Sequence, residues 1–181
     1  MNFDDFLKNL EGRPTLLLHS CCAPCSSYVI EYLADYFDIT VFYYNPNIQP
    51  KEEYEKRKAE QIRLLGLLDI KFSDCDYDGE SFENAVIGLE AEPEGGKRCT
   101  VCFELRLMKT AQMAQDFDYF ATTLTVSPHK NAPLINEIGE RVGGAKYLAS
   151  NFKKKGGYLR SIELAKKYDL YRQDYCGCKY N

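Results

Sequence analysis

The sequence predicts an α/β domain: a mainly parallel sheet with helices on both faces. Short runs of aliphatic, β-branched and aromatic residues alternate with longer segments of helical periodicity, the pattern of parallel strands joined by helical crossovers. No internal repeat, low-complexity tract or linker divides the chain, so residues 1–181 are read as one domain with a full-sized core. Three cysteines fall in the first strand-to-helix turn, and in open parallel sheets such turns carry ligands.

In chain order, residues 3–10 suit a short amphipathic helix. Thr15–His19, with Leu16-Leu17-Leu18 at its centre, is the first strand. Val29, Ile30, Leu33 and Phe37 recur at helical spacing, so a helix runs over 25–37. Asp38–Tyr44 is a second strand. Two prolines and two asparagines make 45–50 a loop. A helix covers 51–68, a third strand 70–72 and a short helix 81–89. Glu92–Lys97 is a loop and 100–115 a long helix. Tyr119–Leu124 is a fourth strand, followed by a helix over 133–142, a fifth strand at Lys146–Ala149 and a last helix over 157–168. If the first and fourth strands are neighbours, the cysteine turn and Thr123–Lys130 face one crevice.

Hydrophobic residues make up 45% and charged residues 28% of the chain, which indicates a soluble globular protein. No stretch is long and apolar enough to span a membrane, and no signal peptide is visible, so a cytoplasmic location is expected. In that reducing compartment eight cysteines point to metal or redox chemistry rather than to structural disulfides. The net charge of −4 hides an asymmetry: the first 90 residues carry 8 Lys and Arg against 17 Asp and Glu, the remainder 15 against 10. A basic second half is either ordinary solvated surface or a face for a polyanion such as RNA.

The first motif is His19-Ser20-Cys21-Cys22-Ala23-Pro24-Cys25. Pro24 suits a first helical turn, and Ser26 and Ser27 are placed to satisfy free backbone donors there. A helix N-terminus favours thiolate. Cys99-Thr100-Val101-Cys102 puts two thiols on one helix face, with Arg98 and Arg106 as positive neighbours. Four thiolates bind zinc or an iron–sulfur cluster. Cys176-Gly177-Cys178 is read either as a strained, easily reduced disulfide or as further metal ligands. Cys75, between Asp74 and Asp76, is a bystander. His19 either faces the crevice or is a satisfied strand-end imidazole. His129 and Lys130 lie in a polar loop suited to a phosphate or substrate contact. No Gly-rich phosphate loop follows the first strand, which weakens any ATP-dependent reading.

These motifs, with Tyr44-Asn45-Pro46-Asn47-Ile48, Thr123–Asn131, Asn151-Phe152-Lys153-Lys154, Gly157-Tyr158, Arg160-Ser161 and Tyr171–Cys178, resemble the QueH family of epoxyqueuosine reductases from about residue 14 to residue 178. The resemblance implies a cobalamin-independent enzyme for the last step of queuosine synthesis, removing the epoxide oxygen from epoxyqueuosine at the tRNA wobble position. It implies a fold similar to the adenine-nucleotide α-hydrolase-like (HUP or PP-loop-like) sandwiches, with cysteines in place of the phosphate loop. It further implies a [4Fe-4S] cluster on Cys21, Cys22, Cys99 and Cys102 and a redox-active pair at Cys176 and Cys178. Cys25, His19 and nearby carboxylates remain for an additional iron or as proton donors. Substrate and RNA contacts are expected at Asn45, Asn47, Tyr54, Arg57, His129, Lys130, Lys153, Lys154 and Arg160, with Lys155 beside them. Tyr43, Tyr44 and Tyr175 either stack on the base or pack in the core. Partners would be the tRNA and an electron donor such as ferredoxin or thioredoxin. Two rivals are an iron–sulfur tRNA thiolase of the same fold, which needs an ATP loop, and a zinc-stabilised RNA-binding module without catalysis.

Overall fold

The computed structural model describes residues 2–181. The elements are α1 (Phe3–Lys8), β1 (Thr15–His19), α2 (Ala23–Leu33), β2 (Asp38–Phe42), α3 (Lys51–Leu68), β3 (Lys71–Ser73), α4 (Gly79–Ala85), α5 (Lys97–Met113), β4 (Tyr119–Thr122), α6 (Ala132–Gly143) and α7 (Gly157–Lys167). The four strands form one sheet in the order β3-β2-β1-β4. All pairings are parallel, with Leu17 opposite Thr40 on one side and Phe120 on the other.

Strand alternation sends successive side chains to opposite faces. Leu16, Leu18, Ile39 and Val41 pack under Val29, Ile30 and Leu33 of α2, Leu65 of α3 and Leu164 of α7. Leu17, Phe42 and Phe120 point the other way, against Phe103 and Leu107 of α5 and Ile135 and Ile138 of α6. The expected helix–sheet–helix sandwich is therefore present. β1 is central, and the chain passes outward from it to β2 and β3 on one side and to β4 on the other. That reversal opens a crevice beyond the carboxyl ends of β1 and β4.

Several element ends differ from the sequence reading. The helix expected over 25–37 is α2, which begins at Ala23 and ends at Leu33. β2 stops at Phe42, two residues early, because the Tyr44 carbonyl is taken by His19 instead of a strand neighbour. β3 starts at Lys71, since Asp69 adopts a left-handed cap (φ 54°) and the Ile70 N–H returns to Leu65 O at the end of α3. α4 covers 79–85 rather than 81–89, and α5 begins at Lys97, so the C-x-x-C lies inside its first turns. β4 ends at Thr122, and Thr123–Val126 is a 3-10 turn. The fifth strand reduces to a single bridge between Tyr147 and Phe120. The 3-10 turn Gly144–Lys146 delivers only Tyr147 into register, and the Asn136 side chain then takes both the N–H and C=O of Ser150.

α6 approaches the sheet edge closely. A Cβ at Gly139 would stand 2.2 Å from the Tyr147 ring, and one at Gly143 would stand 2.3 Å from the Phe120 ring. In a free helix Gly→Ala stabilises by about 1 kcal/mol. Here overpacking outweighs that gain, and Gly139→Ala is expected to destabilise by about 1–3 kcal/mol, read as a lower midpoint in urea unfolding. An unchanged or raised midpoint would show that the ring shifts aside freely.

Candidate functional site

The turn after β1 is built from the strand end. Ser20 N–H donates to Phe42 O (2.9 Å), and the Ser20 hydroxyl donates to Gln61 Oε1 of α3, a fully buried side chain. Cys22 is the N-cap of α2 and offers no side-chain cap bond; Pro24 sits in the first turn. Ser26 and Ser27 do not cap free amides as expected. Their hydroxyls donate back to Ala23 O (3.0 Å) and Pro24 O (2.6 Å), leaving the helix start open to the sulfurs.

Cys21, Cys22 and Cys25 have sulfur atoms all within 4.8 Å of one another. The Cys21 and Cys22 sulfurs are 3.9 Å apart. Thr123, from the turn after β4, lies 3.3 Å from the Cys21 sulfur and accepts the Cys21 N–H at 3.1 Å. The Cys22 and Cys25 thiols, the Lys130 charge and the Thr123 hydroxyl hold Cys21 as a thiolate well below the usual thiol range. The same negative sulfur pushes Cys22 up to about 12 and raises Cys25. Three soft donors sharing one negative charge suit a thiophilic metal such as zinc or iron.

His19 lies outside that group of three. It is fully buried, with Nδ1 2.9 Å from Thr122 Oγ1 and Nε2 2.9 Å from Tyr44 O. A carbonyl only accepts, so Nε2 carries the hydrogen and Nδ1 accepts from Thr122. Burial and the nearby Arg106 charge bring its pKa down to about 4. Both ring nitrogens are thus occupied within the fold, the arrangement of a satisfied strand-end imidazole.

The C-x-x-C presents a second sulfur group. Cys99 accepts the Gly95 N–H at 3.2 Å, and Cys102 is buried with its thiol raised by that burial. Cys99 and Cys102 lie outside the 4.8 Å grouping of the trio and open onto a neighbouring cavity of about 100 Å³, with Cys176, Cys178, Arg106 and Asn47. The trio opens onto a larger cavity of about 490 Å³. Arg106, His129, Lys130 and Cys176 line both. Arg106 donates to Cys102 O (3.4 Å) and Asn45 Oδ1 (3.3 Å), and Asn45 donates to Ser20 O (2.8 Å), so a buried chain of bonds ties α5 to the cysteine turn. Asn47 is 1% exposed, and its Oδ1 has no partner. Cys176 and Cys178 are both free thiols, the first half-buried and the second buried. Cys75 lines neither cavity and bonds to Tyr43 O at 3.2 Å.

The expected substrate and RNA residues divide. His129 and Lys130 face the cavities. Tyr54 is instead buried between Tyr43 and Tyr77, and Arg57 is buried against the C-terminal tail. Tyr43 and Tyr44 are core residues. Lys153 points inward, its ammonium donating to Ser127 O (3.2 Å) and Lys130 O (2.6 Å), where it braces the loop after β4. Lys155 pairs with Asp4, and Arg160 with Glu31 and Glu163 at 2.7 and 2.9 Å. Lys154 is exposed. Arg172, absent from the sequence expectations, is exposed and lines the larger cavity with Tyr175. Its signal in the sequence is its place in the tail motif Tyr171–Cys178, where Tyr175, Cys176 and Cys178 are the residues given roles.

A family model described as Epoxyqueuosine reductase QueH matches residues 16–181. A protein of Streptococcus pyogenes serotype M1 named epoxyqueuosine reductase QueH is 50% identical, covering 93% of this chain and 70% of its own length. Relatives of the same name from Staphylococcus epidermidis and Thermotoga maritima are 43% and 37% identical, covering 98% and 92% of this chain and 83% and 90% of theirs. With its cysteine turn, C-x-x-C and C-G-C lining two adjoining cavities, and with these matches over nearly its whole length, the chain belongs to the QueH family of epoxyqueuosine reductases.

Proposed function

We propose that this chain is an epoxyqueuosine reductase that removes the epoxide oxygen from the modified wobble nucleotide of tRNA. The observation that carries the reading is the meeting of two cysteine groups in adjoining cavities, with Cys176 lining both. Breaking both C–O bonds of an epoxide to leave a C=C bond consumes two electrons and two protons and releases water. Cys176 and Cys178 hold that inventory: joining their sulfurs as a disulfide releases two electrons and two protons. An external dithiol or iron–sulfur protein, of the thioredoxin or ferredoxin kind, restores the dithiol.

Cys21, Cys22, Cys99 and Cys102 would hold a [4Fe-4S] cluster, with Cys25 available to an additional iron. Such an iron centre supplies one-electron transfer and Lewis acidity toward oxygen. The residues of the chain do the rest. Arg106 spends two donors on neutral oxygens, Cys102 O and Asn45 Oδ1, and its charge faces the sulfurs and the shared cavity. The larger cavity, about 490 Å³, is of a size that takes an unstacked nucleoside. Lys130 and Arg172 on its lining, and Lys154 on the surface, are the phosphate contacts this reading favours.

The direct test is anaerobic incubation with epoxyqueuosine-containing tRNA and a reductant, followed by nucleoside mass spectrometry. Conversion to queuosine is expected, and none with iron-loaded protein would overturn the reading. Purified without oxygen, the protein should be brown with broad absorption near ~400 nm. Cys99→Ala should lose most iron and sulfide, whereas Cys75→Ala should keep them; full retention in Cys99→Ala would remove that residue from the ligand set.

Cys178→Ala should retain iron and bind tRNA, yet lose turnover with a protein donor, because a lone Cys176 cannot form the disulfide that releases both electrons. Wild-type multiple turnover in that variant would exclude the pair from the reaction. For RNA binding, Arg172→Gln and Lys154→Ala should each flatten the dependence of log affinity on log salt by about 0.7–0.9 per lost contact. An unchanged slope in both would place the phosphate contacts elsewhere.

A further inference from the structure

Arg57 lies on α3 and lines neither cavity, yet it is only 2% exposed. Burying a guanidinium is costly unless its donors are used. Here they are used on the tail. Nη2 donates to Tyr175 O (3.0 Å) and Nη1 to Cys176 O (3.2 Å), while Nε donates to Glu53 (2.9 Å). The guanidinium carbon sits 4.9 Å from the centre of the Tyr175 ring. Glu53 also accepts the Tyr171 hydroxyl at 2.8 Å. The next carbonyl, Gly177 O, accepts the Gln49 N–H at 2.8 Å, and the Tyr175 hydroxyl returns to Gln49 O at 2.7 Å.

Three consecutive carbonyls, at 175, 176 and 177, are thus held from α3 and the loop that leads into it. Gly177 has φ 110°, and a Cβ there would stand 2.7 Å from Ile48, so the loop lies directly on that surface. The loop is gripped along its backbone, and its Cys176 residue faces the two cavities. Both thiols are free in this gripped state.

We propose that Arg57 is a positioning residue for the redox loop: its grip on the Tyr175 and Cys176 carbonyls holds Cys176 where the cavities meet and favours the dithiol over the disulfide. The inference rests on the redox role given to the pair above. Oxidation joins the two sulfurs with loss of two electrons and two protons to the substrate, and an external dithiol or iron–sulfur protein returns them. Joining two sulfurs one residue apart turns the peptide units flanking Gly177, and those units carry two of the three held carbonyls, Cys176 O, gripped by Arg57, and Gly177 O, gripped by Gln49. A grip that fits the loop with its two thiols free better than the joined form pulls the equilibrium toward the dithiol.

The test uses full-length, iron-loaded protein prepared without oxygen, titrated in glutathione redox buffers with alkylation of the remaining thiols. Arg57→Met is expected to shift the dithiol–disulfide equilibrium about tenfold toward disulfide, a potential lower by about 30 mV. Arg57→Lys keeps the charge without the two-pronged donor and should fall between. Iron content should stay at the wild-type level, and kcat with a protein donor should drop while KM for tRNA holds, a split that simple loosening of the fold would not produce. A wild-type potential and kcat in folded Arg57→Met would overturn the proposal. If that variant does not fold, Arg57→Lys and Tyr171→Phe decide it, and wild-type potentials in both would overturn it equally. A wild-type pair that does not titrate at all would instead remove the redox role itself, and the proposal with it.

Discussion

Parallel pairing of β1 with β4 is the constraint on which the site depends. The register sets His19 opposite Thr122, so the two chains leave the sheet at the same height. Cys21 and Thr123 then meet immediately above, within hydrogen-bond reach. His19 is a rigid spacer at that point, joining β1 to β4 through Thr122 and to the segment after β2 through Tyr44. A shift of one residue would turn Leu17 and Phe120 out of their shared cluster and send His19 to the wrong face. The same pairing that builds the core therefore sets the cysteine turn beside Thr123.

Much of this was legible from the chain. The alternation of Leu16-Leu17-Leu18, Val29-Ile30-Leu33 and Ile39–Phe42 marks strand, helix and strand without any tertiary knowledge. The cysteine motifs stand out because three thiols in one turn have no ordinary packing purpose. Element ends were less legible, for a physical reason: they are decided by contacts made far along the chain. β2 stops where His19 claims a carbonyl, and the fifth strand fails where Asn136 captures Ser150. Neither partner lies within the local window that periodicity reads.

The side-chain roles divide the same way. Thiols announce their chemistry by type, whereas arginines and lysines do not. Arg57 and Lys153 were natural candidates for phosphate, yet Arg57 spends its donors on Glu53 and two tail carbonyls, and Lys153 on two loop carbonyls. Arg172 carries the same charge and remains exposed at the cavity. What separates these residues is the direction each side chain leaves its element, a quantity fixed by packing and absent from composition.

The ion pairs of the second half have a consequence for how the molecule looks from a distance. Three lysines in a row suggest a broad electropositive surface, but Lys155 is paired with Asp4, while Lys153, bonded to two neutral carbonyls, keeps its charge. With Arg160 likewise tied to two glutamates, the far field of the second half is weaker than its excess of cations implies. At the crevice, Arg106, Lys130 and Arg172 share the lining of the larger cavity with Glu94 and Asp174. Charge there alternates in sign over short distances, so its field is felt only close to the opening, within about a Debye length, roughly 8–10 Å.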